Sequence, residues 1–452
     1  MVTFQGILLL LTFAALVYYC FKGGNLLIGF LVTAVVWSVI AWVPIMDVVN
    51  TFQTQTTNYG ATIAIIVFGA WFGKVIVDTG IAGSIIKKVV ELAGDKALLT
   101  TVLLIIVCTA IFTSAFGVGS VMAIGMIVLP ILFSVGVKKN VALAAYMFSV
   151  AGGMWLNIAY VSQFYVFFDP ENKSLYSRPE YIRFALVATA AHVVMALLFV
   201  IFHHVRNVKR VRKAWPVPSV RQSVSSVRNM WPSLRKAWPA NVTDANRQAP
   251  YYSFIVPFIP IVMVAIFKWQ PVPAFLVGIF FGLLLTGNMR SFRNVVEVAQ
   301  KTLHDGISEC GLLIGMLYGV VIFQGAASKA APILGDLLGD IIPDNPLVLA
   351  IAFGILAPLA LFRGPLMIFG SGAATVAILQ ATGQFSDWTM FGLFLIMPVA
   401  IVANTCPTQS WGMWGLSYSK VEPRTYLRTG IPWSWALALV LEPVAYFMIG
   451  KL

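Results

Sequence analysis

The chemistry in this sequence gathers at four interruptions of apolar chain. Phe116-Gly117-Val118-Gly119 and Phe369-Gly370-Ser371-Gly372 break two apolar runs, and two longer runs break at SVAGGMWLNIAYVSQ (149–163) and PVAIVANTCPTQS (398–410). Where a helix restarts, its free N–H groups carry partial positive charge; where one stops, its free carbonyls carry partial negative charge. N–H groups suit a carboxylate, and carbonyls with hydroxyls suit a cation. Glycine lets backbone approach a ligand closely. On this basis Arg363, Gly117, Gly119, Ser120, Asn157, Gly370, Ser371, Gly372, Asn404 and Thr405 are candidate contacts for an anionic substrate. Thr113, Ser114, Thr408, Gln409 and Glu309 are candidates for ion coupling, and Ser162 and Gln163 are further polar side chains at the first interrupted helix. Each Ser or Thr has a plainer alternative, because hydroxyls in membrane helices commonly bond a backbone carbonyl or let helices pack closely.

Arg363 stands apart. Arginine at mid-bilayer costs about 2.5–3.5 kcal/mol on insertion scales, so it should face a cavity and have a partner. Its planar fork matches a carboxylate; the alternative is a structural clamp on hairpin carbonyls or on an acid such as Asp78 or Glu309. Lys74 and Asp78, one turn apart, predict a local ion pair, and Asp305 and Glu309 share that spacing. Any of these acids, or Glu442, which interrupts LALVLEPVAYF, could carry a coupling proton; His192, on an apolar helix, reads as a packing residue.

The elements that position these groups are membrane helices. Of 452 residues 59% are hydrophobic and only 10% charged, too few to cover a soluble surface. Apolar runs of about twenty residues, enough to cross a bilayer, recur from end to end. The first, 4–20, lacks a basic flank and a cleavage site and reads as a mature helix. The four cysteines are isolated, with no zinc or disulfide spacing, and His203-His204 reads as interfacial. No nucleotide-binding loop, catalytic triad, metal cluster or acid pair is present, so an ATP-driven pump and an enzyme are not expected, and no metal or cofactor is implied beyond a coupling ion, H+ or Na+. The net charge of +13 does not indicate nucleic acid. Ten Lys and Arg fall between Arg206 and Arg247, a loop that marks the cytoplasmic side and whose RKAWP, at 212–216 and 235–239, suits anionic lipid headgroups.

That loop, 204–250, separates two halves with the same landmarks. FGAWFGKVIVDTG (68–80) and IGMLYGVVIFQG (314–325) each precede an amphipathic stretch, SIIKKVVELAG and KAAPILGDLLGDI; a Gly-rich break and an interrupted helix follow in each half. Stepping out from the basic loop predicts an all-α polytopic membrane protein with an inverted-topology repeat: about ten transmembrane helices plus two re-entrant hairpins and two interrupted helices. The first repeat is 1–203 (hairpin about 97–135, interrupted helix 144–168), and the second is 251–452 (hairpin about 346–384, interrupted helix 389–410). Residues 45–58 and 169–180 are expected as outer loops, MRSFRN (289–294) as an inner loop leading to a helix at 307–327, and 431–449 as the last helix. Both termini lie outside an inner (plasma) membrane of bacterial type.

The FGAWFGKVIVDTG segment, the FGVG and FGSG tips and NTCPTQS resemble the ion transporter superfamily of secondary carriers, the N-terminal third being most similar to the gluconate permease and citrate–metal symporter families. The resemblance implies carriage of organic anions with H+ or Na+, a scaffold and a two-hairpin transport domain, elevator-like motion and a homodimer. The tips depart from the Ser-Asn-Thr of the dicarboxylate branch. The combined expectation is a carrier importing a small hydroxy or sugar acid by proton symport, held between the two tips. The alternatives are sodium-coupled carboxylate symport and, in a different class, cation/proton antiport.

Overall fold

The computed structural model describes residues 2–94, 96–168, 176, 178–214, 248–338 and 342–450. Most of the expected basic linker, including the second RKAWP, and residues 169–175 of the expected outer loop lie outside the described residues. Every regular element described is helical. The first half comprises α1 (Val2–Phe21), α2 (Leu26–Ile40), α3 (Ile45–Asp78), α4 (Ile81–Ala93), α5 (Ala97–Phe112), α6 (Val118–Ser134), α7 (Lys139–Met154), the short α8 (Ile158–Val161) and α9 (Tyr165–Phe168) joined by a 3-10 turn, and α10 (Pro179–Ala214). In the second half, a 3-10 segment (Tyr251–Phe258) enters α11 (Ile259–Ala265), followed by α12 (Pro271–Leu285), α13 (Phe292–Leu338) and α14 (Pro346–Leu356). The 3-10 stretch Ala357–Arg363, α15 (Gly372–Thr382), α16 (Asp387–Ile396) with its π turn (Met397–Ala403), α17 (Ser410–Ser419), α18 (Pro423–Ala445) and a closing π turn (Tyr446–Gly450) follow.

The helices begin where sequence supplies caps. Asn25, Asn157, Asn345 and Ser386 each accept a hydrogen bond from a backbone N–H in the first turn of the helix they precede, each worth about 1 kcal/mol. Left-handed glycines end others: Gly80, at φ 82°, separates α3 from α4, and Gly383, at φ 65°, closes α15. No such break stands at the matching place in the second half. There α13 runs unbroken for 47 residues with Pro332 inside it. The expected inner loop therefore contributes its last three residues, Phe292–Asn294, to this helix, and the amphipathic KAAPILGDLL continues it. Residues 45–58 likewise form the start of the 34-residue α3, not a loop. Between Pro44 and Gly60 they lack Gly and Pro, so polarity alone did not stop the helix. The last helix starts at Pro423, eight residues before its expected start and in keeping with proline at a helix N-terminus.

Six described helices are long and apolar enough to cross a membrane, and Lys139–Met154 with Ile158–Phe168, bent by 74°, is a seventh if the pair is taken as one broken span and not as a re-entrant loop. Leu26–Ile40, Tyr251–Ala265, Pro271–Leu285 and Asp387–Ala403, each expected as a crossing, are shorter apolar helices. The 346–363 arm of the second hairpin is one of the six, yet its return arm α15 has only 11 residues. At about 1.5 Å per residue, that is roughly half the hydrocarbon thickness, too short for a second crossing.

Packing forms two groups. α13 lies against α1, α2 and α3, and α12 against α3. α5, α7, α10, α16 and α18 form the other, with α14 held on α18. α15, the return arm of the second hairpin, packs on α13 of the first group, and the groups also meet through α6 and α8, where α3 touches both and α13 touches α6. Within the second group α5 and α7 approach backbone to backbone: a Cβ on Gly153 would stand 2.6 Å from the Thr109 carbonyl oxygen and 2.6 Å from the Phe112 carbonyl carbon. Gly153→Ala should therefore cost about 1–3 kcal/mol by overpacking, measurable as a lower thermal midpoint of the detergent-purified protein.

Candidate functional site

Asn157 joins the first interrupted helix to the first hairpin tip. The residues between α5 and α6 turn through Gly117, at φ 101°. The Asn157 amide donates to the carbonyls of Phe112 and Ala115, both at 3.0 Å, while its oxygen accepts from Tyr160 N–H at 3.1 Å. Both donors are thus committed to the tip. On the other side α3 closes against it: a Cβ on Gly73 would meet Ser120 Oγ at 2.7 Å and the Phe116 carbonyl oxygen at 2.8 Å.

An anion already stands at this tip. A Cβ on Gly119, in the first turn of α6, would lie 1.8 Å from the carboxylate carbon of Glu309 on α13. A carboxylate is favoured there because the α6 N-terminus carries partial positive charge. Lys74 Nζ donates to Glu309 Oε1 at 3.2 Å and pairs with Asp78 at 3.7 Å; Lys301 reaches Asp78 at 3.7 Å. The expected Lys74–Asp78 pair is present but belongs to a larger group. Asp305 instead neighbours His304 at 3.4 Å.

The second tip is tighter. Phe362 and Arg363 both adopt left-handed φ, 55° and 65°, each at a cost of about 1–3 kcal/mol that surrounding contacts must offset. Phe362 N–H donates to Cys406 Sγ at 3.3 Å, and Ser371 donates from both N–H and Oγ to the Arg363 carbonyl at 3.0 Å. A Cβ on Gly370 would be 2.6 Å from that same oxygen, and one on Gly364 2.0 Å from the Leu359 carbonyl; only glycine fits. The Arg363 side chain is buried, and its guanidinium has no ion pair or hydrogen bond among the described residues. The ionisable groups near enough to act on it are Cys406, Cys20 and Tyr160. Asp78 and Glu309, the acids expected as clamp partners, are paired with lysines instead.

The α8–α9 segment spans the two tips. Asn157 is bonded to the first, and Tyr160, Phe164 and Phe167 pack their rings on Phe369 of the second at 6.4, 5.1 and 6.4 Å. The second interruption, 406–409, abuts the second tip through Cys406, while α17 lies on α6 through Trp414 and Gly125. Both breaks and both tips therefore meet around one region.

The remaining polar residues are largely committed to backbone. Thr113 donates to Ala110, Ser120 to Phe116, Ser162 to Ile158, Gln163 to Ala159 and Thr405 to Ile401. Thr408 Oγ contacts Cys406 Sγ at 3.1 Å. Ser114 Oγ and Gln409 Oε1 are buried with no hydrogen-bond partner among the described residues.

Asn404 is tied to a residue read from sequence as packing alone. Trp155 Nε1, at the first break, donates to His192 Nδ1 at 3.0 Å, so Nδ1 is the acceptor and His192 Nε2 donates to Asn404 Oδ1 at 3.1 Å. Asn404 also donates to Ala400 at 2.7 Å and accepts from the Tyr426 hydroxyl on its carbonyl. This buried chain braces one break against the other. Sequence showed no sign of it, nor of Tyr160 or Cys406 beside Arg363, because their partners lie in other helices. His192→Phe would orphan a buried donor on Trp155 and an acceptor on Asn404, at roughly 1–3 kcal/mol each; a thermal midpoint unchanged from wild type would show that the brace contributes nothing.

No family model matches the chain, and no curated protein matches it significantly. Among solved structures the chain is similar to the crystal structure of the Alcanivorax borkumensis YdaH transporter, with a TM-score of 0.56 over 93% of this chain and 97% of that chain, at 14% identity. At that identity the likeness is one of fold.

Proposed function

We propose that the protein is a secondary active transporter that imports a small organic anion, a hydroxy or sugar acid, by proton symport across a bacterial-type inner membrane. The supporting observation is Arg363: a largely buried side chain whose guanidinium has no counter-charge among the described residues, on a tip where Phe362 and Arg363 are strained and Gly364 and Gly370 admit only glycine. A buried charge without a partner is costly, and a substrate carboxylate would supply the partner through a bidentate fork. The restarting α15 places the positive end of its dipole at the tip, although the N–H groups of Ser371, Gly372, Ala373 and Ala374 are bonded to the carbonyls of Arg363, Met367, Gly370 and Ser371. Glu309 already fills the start of α6, so the two tips play different roles. The second holds substrate; the first is latched to α13 by Glu309 and Lys74.

The recurrence of long helix, hairpin and interrupted helix in each half supports an inverted repeat, with termini outside. The separation into two packed groups supports elevator-like movement of one past the other; the family resemblance implies a homodimer through the scaffold, which we assign to the α1–α3, α12–α13 group. A sodium-coupled reading has its own observation, the unpartnered oxygens of Ser114 and Gln409, which are suitable cation ligands. Substrate class is tested by thermal stabilisation of the purified protein, since a ligand at a hundred times its Kd adds about 2.7 kcal/mol. Gluconate and other hydroxy acids should raise the midpoint and the matching neutral polyols should not. Equal shifts from acids and polyols would exclude carboxylate recognition.

A further inference from the structure

The latch role given to Glu309 leaves the coupled proton without a site, and a second carboxyl in the membrane span is a candidate. Glu442 is wholly buried within the apolar part of α18, and neither carboxyl oxygen has a hydrogen-bond partner among the described residues. It is packed on the arm that ends in Arg363. A Cβ on Gly354 of α14 would lie 3.7 Å from Glu442 Cβ and 3.4 Å from Leu439 Cα, and Trp435 Nε1 donates to the Gly354 carbonyl at 3.0 Å. Trp435, Leu439 and Glu442 form one face of α18, and that face grips α14 nine residues before Arg363.

Among the described residues no counter-charge pairs with Glu442. α14 and the π turn Met397–Ala403 contain no ionisable residue. On the other elements packed against α18, Tyr146 and Tyr181 donate to the Val121 and Trp155 carbonyls, and His192 and His203 are bonded to Asn404 and Phe199. Asp387 accepts from Gln380, and Arg363 lies at the tip. Lys139, Glu180, Arg183 and His204 also lie on these helices, and Tyr446 follows one turn on; among the described residues none of these groups forms an ion pair or hydrogen bond with Glu442. A carboxylate charge in this setting would be desolvated and unpaired, a cost that the carboxylic acid avoids.

We propose that Glu442 is a proton-binding site of this conformation, and, resting on the transporter reading, that it carries the coupled proton. The carboxylic acid gives up one proton to water when α14 and α18 part, leaving the carboxylate, and takes one back when they close. The movement of the Arg363 arm is thereby tied to protonation.

Infrared spectroscopy of the purified full-length protein near neutral pH tests the site without any substrate. Wild type and Glu309→Gln should both show the carbonyl stretch of a buried protonated carboxyl, and Glu442→Gln should lose it. A band that survives in Glu442→Gln, or is missing from wild type, overturns the proposal. Should Glu442→Gln fail to fold, Glu442→Asp must shift the band, and an unmoved band is equally contrary. In proteoliposomes, with labelled gluconate as probe, Glu442→Gln should retain exchange of labelled for unlabelled gluconate and lose accumulation driven by a pH gradient. Retained pH-driven accumulation overturns the coupling role. A wild type that moves no acid refutes the transporter reading and leaves the infrared result standing.

Discussion

Arg363→Gln should weaken binding of the carboxylate by about 2–5 kcal/mol, roughly thirty-fold or more, while making the ligand-free protein more stable. The two signs follow from one geometry. With no ion pair or hydrogen bond to the guanidinium among the described residues, the resting protein carries an uncompensated charge, and glutamine relieves it. The bound state, in contrast, loses its only cationic fork. Arg363→Lys keeps the charge but not the planar pair of donors and should fall between. Titration of substrate by calorimetry, beside thermal unfolding without ligand, reads both effects. A structural clamp gives the opposite pattern: stability falls and the remaining folded protein binds normally.

Lys74→Met should be the second large effect. It leaves Glu309 against Gly119 and the start of α6 without its cation, and also removes one partner of Asp78. Breaking a buried pair from one side costs about 3–5 kcal/mol; here partial exposure of Glu309 lowers that toward about 1–3 kcal/mol. The Lys74→Met, Glu309→Met double variant should regain much of the loss, giving a coupling energy of about 0.5–3 kcal/mol in a double-mutant cycle of unfolding free energies. Strict additivity would mean that the 3.2 Å contact carries no energy. Because the pair links α3 and α13 to the first hairpin, the double variant should also change the rate of transport more than the affinity for substrate.

The breaks were legible in sequence because backbone chemistry leaves local marks. Gly117, Gly370 and Gly372 announced the two tips, and Asn157, a cap residue after a Gly-Gly pair, announced the first interruption. Continuity was less legible. A polar run without Gly or Pro, such as 45–58, reads as a loop by composition yet continues α3, and Pro332 near the end of α13 did not stop that helix. Least legible were contacts between helices distant in the chain. Nothing near Gly119 signals that Glu309, some 190 residues on, will lie against it, and Lys74 looked satisfied by Asp78 one turn away. His192, a packing residue by its apolar helix, is buried and hydrogen-bonded, but its partners Trp155 and Asn404 are visible only in the folded chain. Ser and Thr at the breaks mostly followed their plainer alternative, bonding carbonyls three or four residues back, because a hydroxyl in an apolar helix finds that acceptor first.

The central claim, ion-driven import of a carboxylate held at Arg363, is tested most directly by uptake of labelled gluconate and related hydroxy acids into proteoliposomes. An inward proton gradient without sodium is imposed first, and then a sodium gradient at equal pH. Accumulation under the proton gradient, absent in Arg363→Gln vesicles, is the predicted result; accumulation under sodium alone would transfer the coupling to Ser114 and Gln409. Cation exchange with no accumulation of any acid under either gradient would contradict the account.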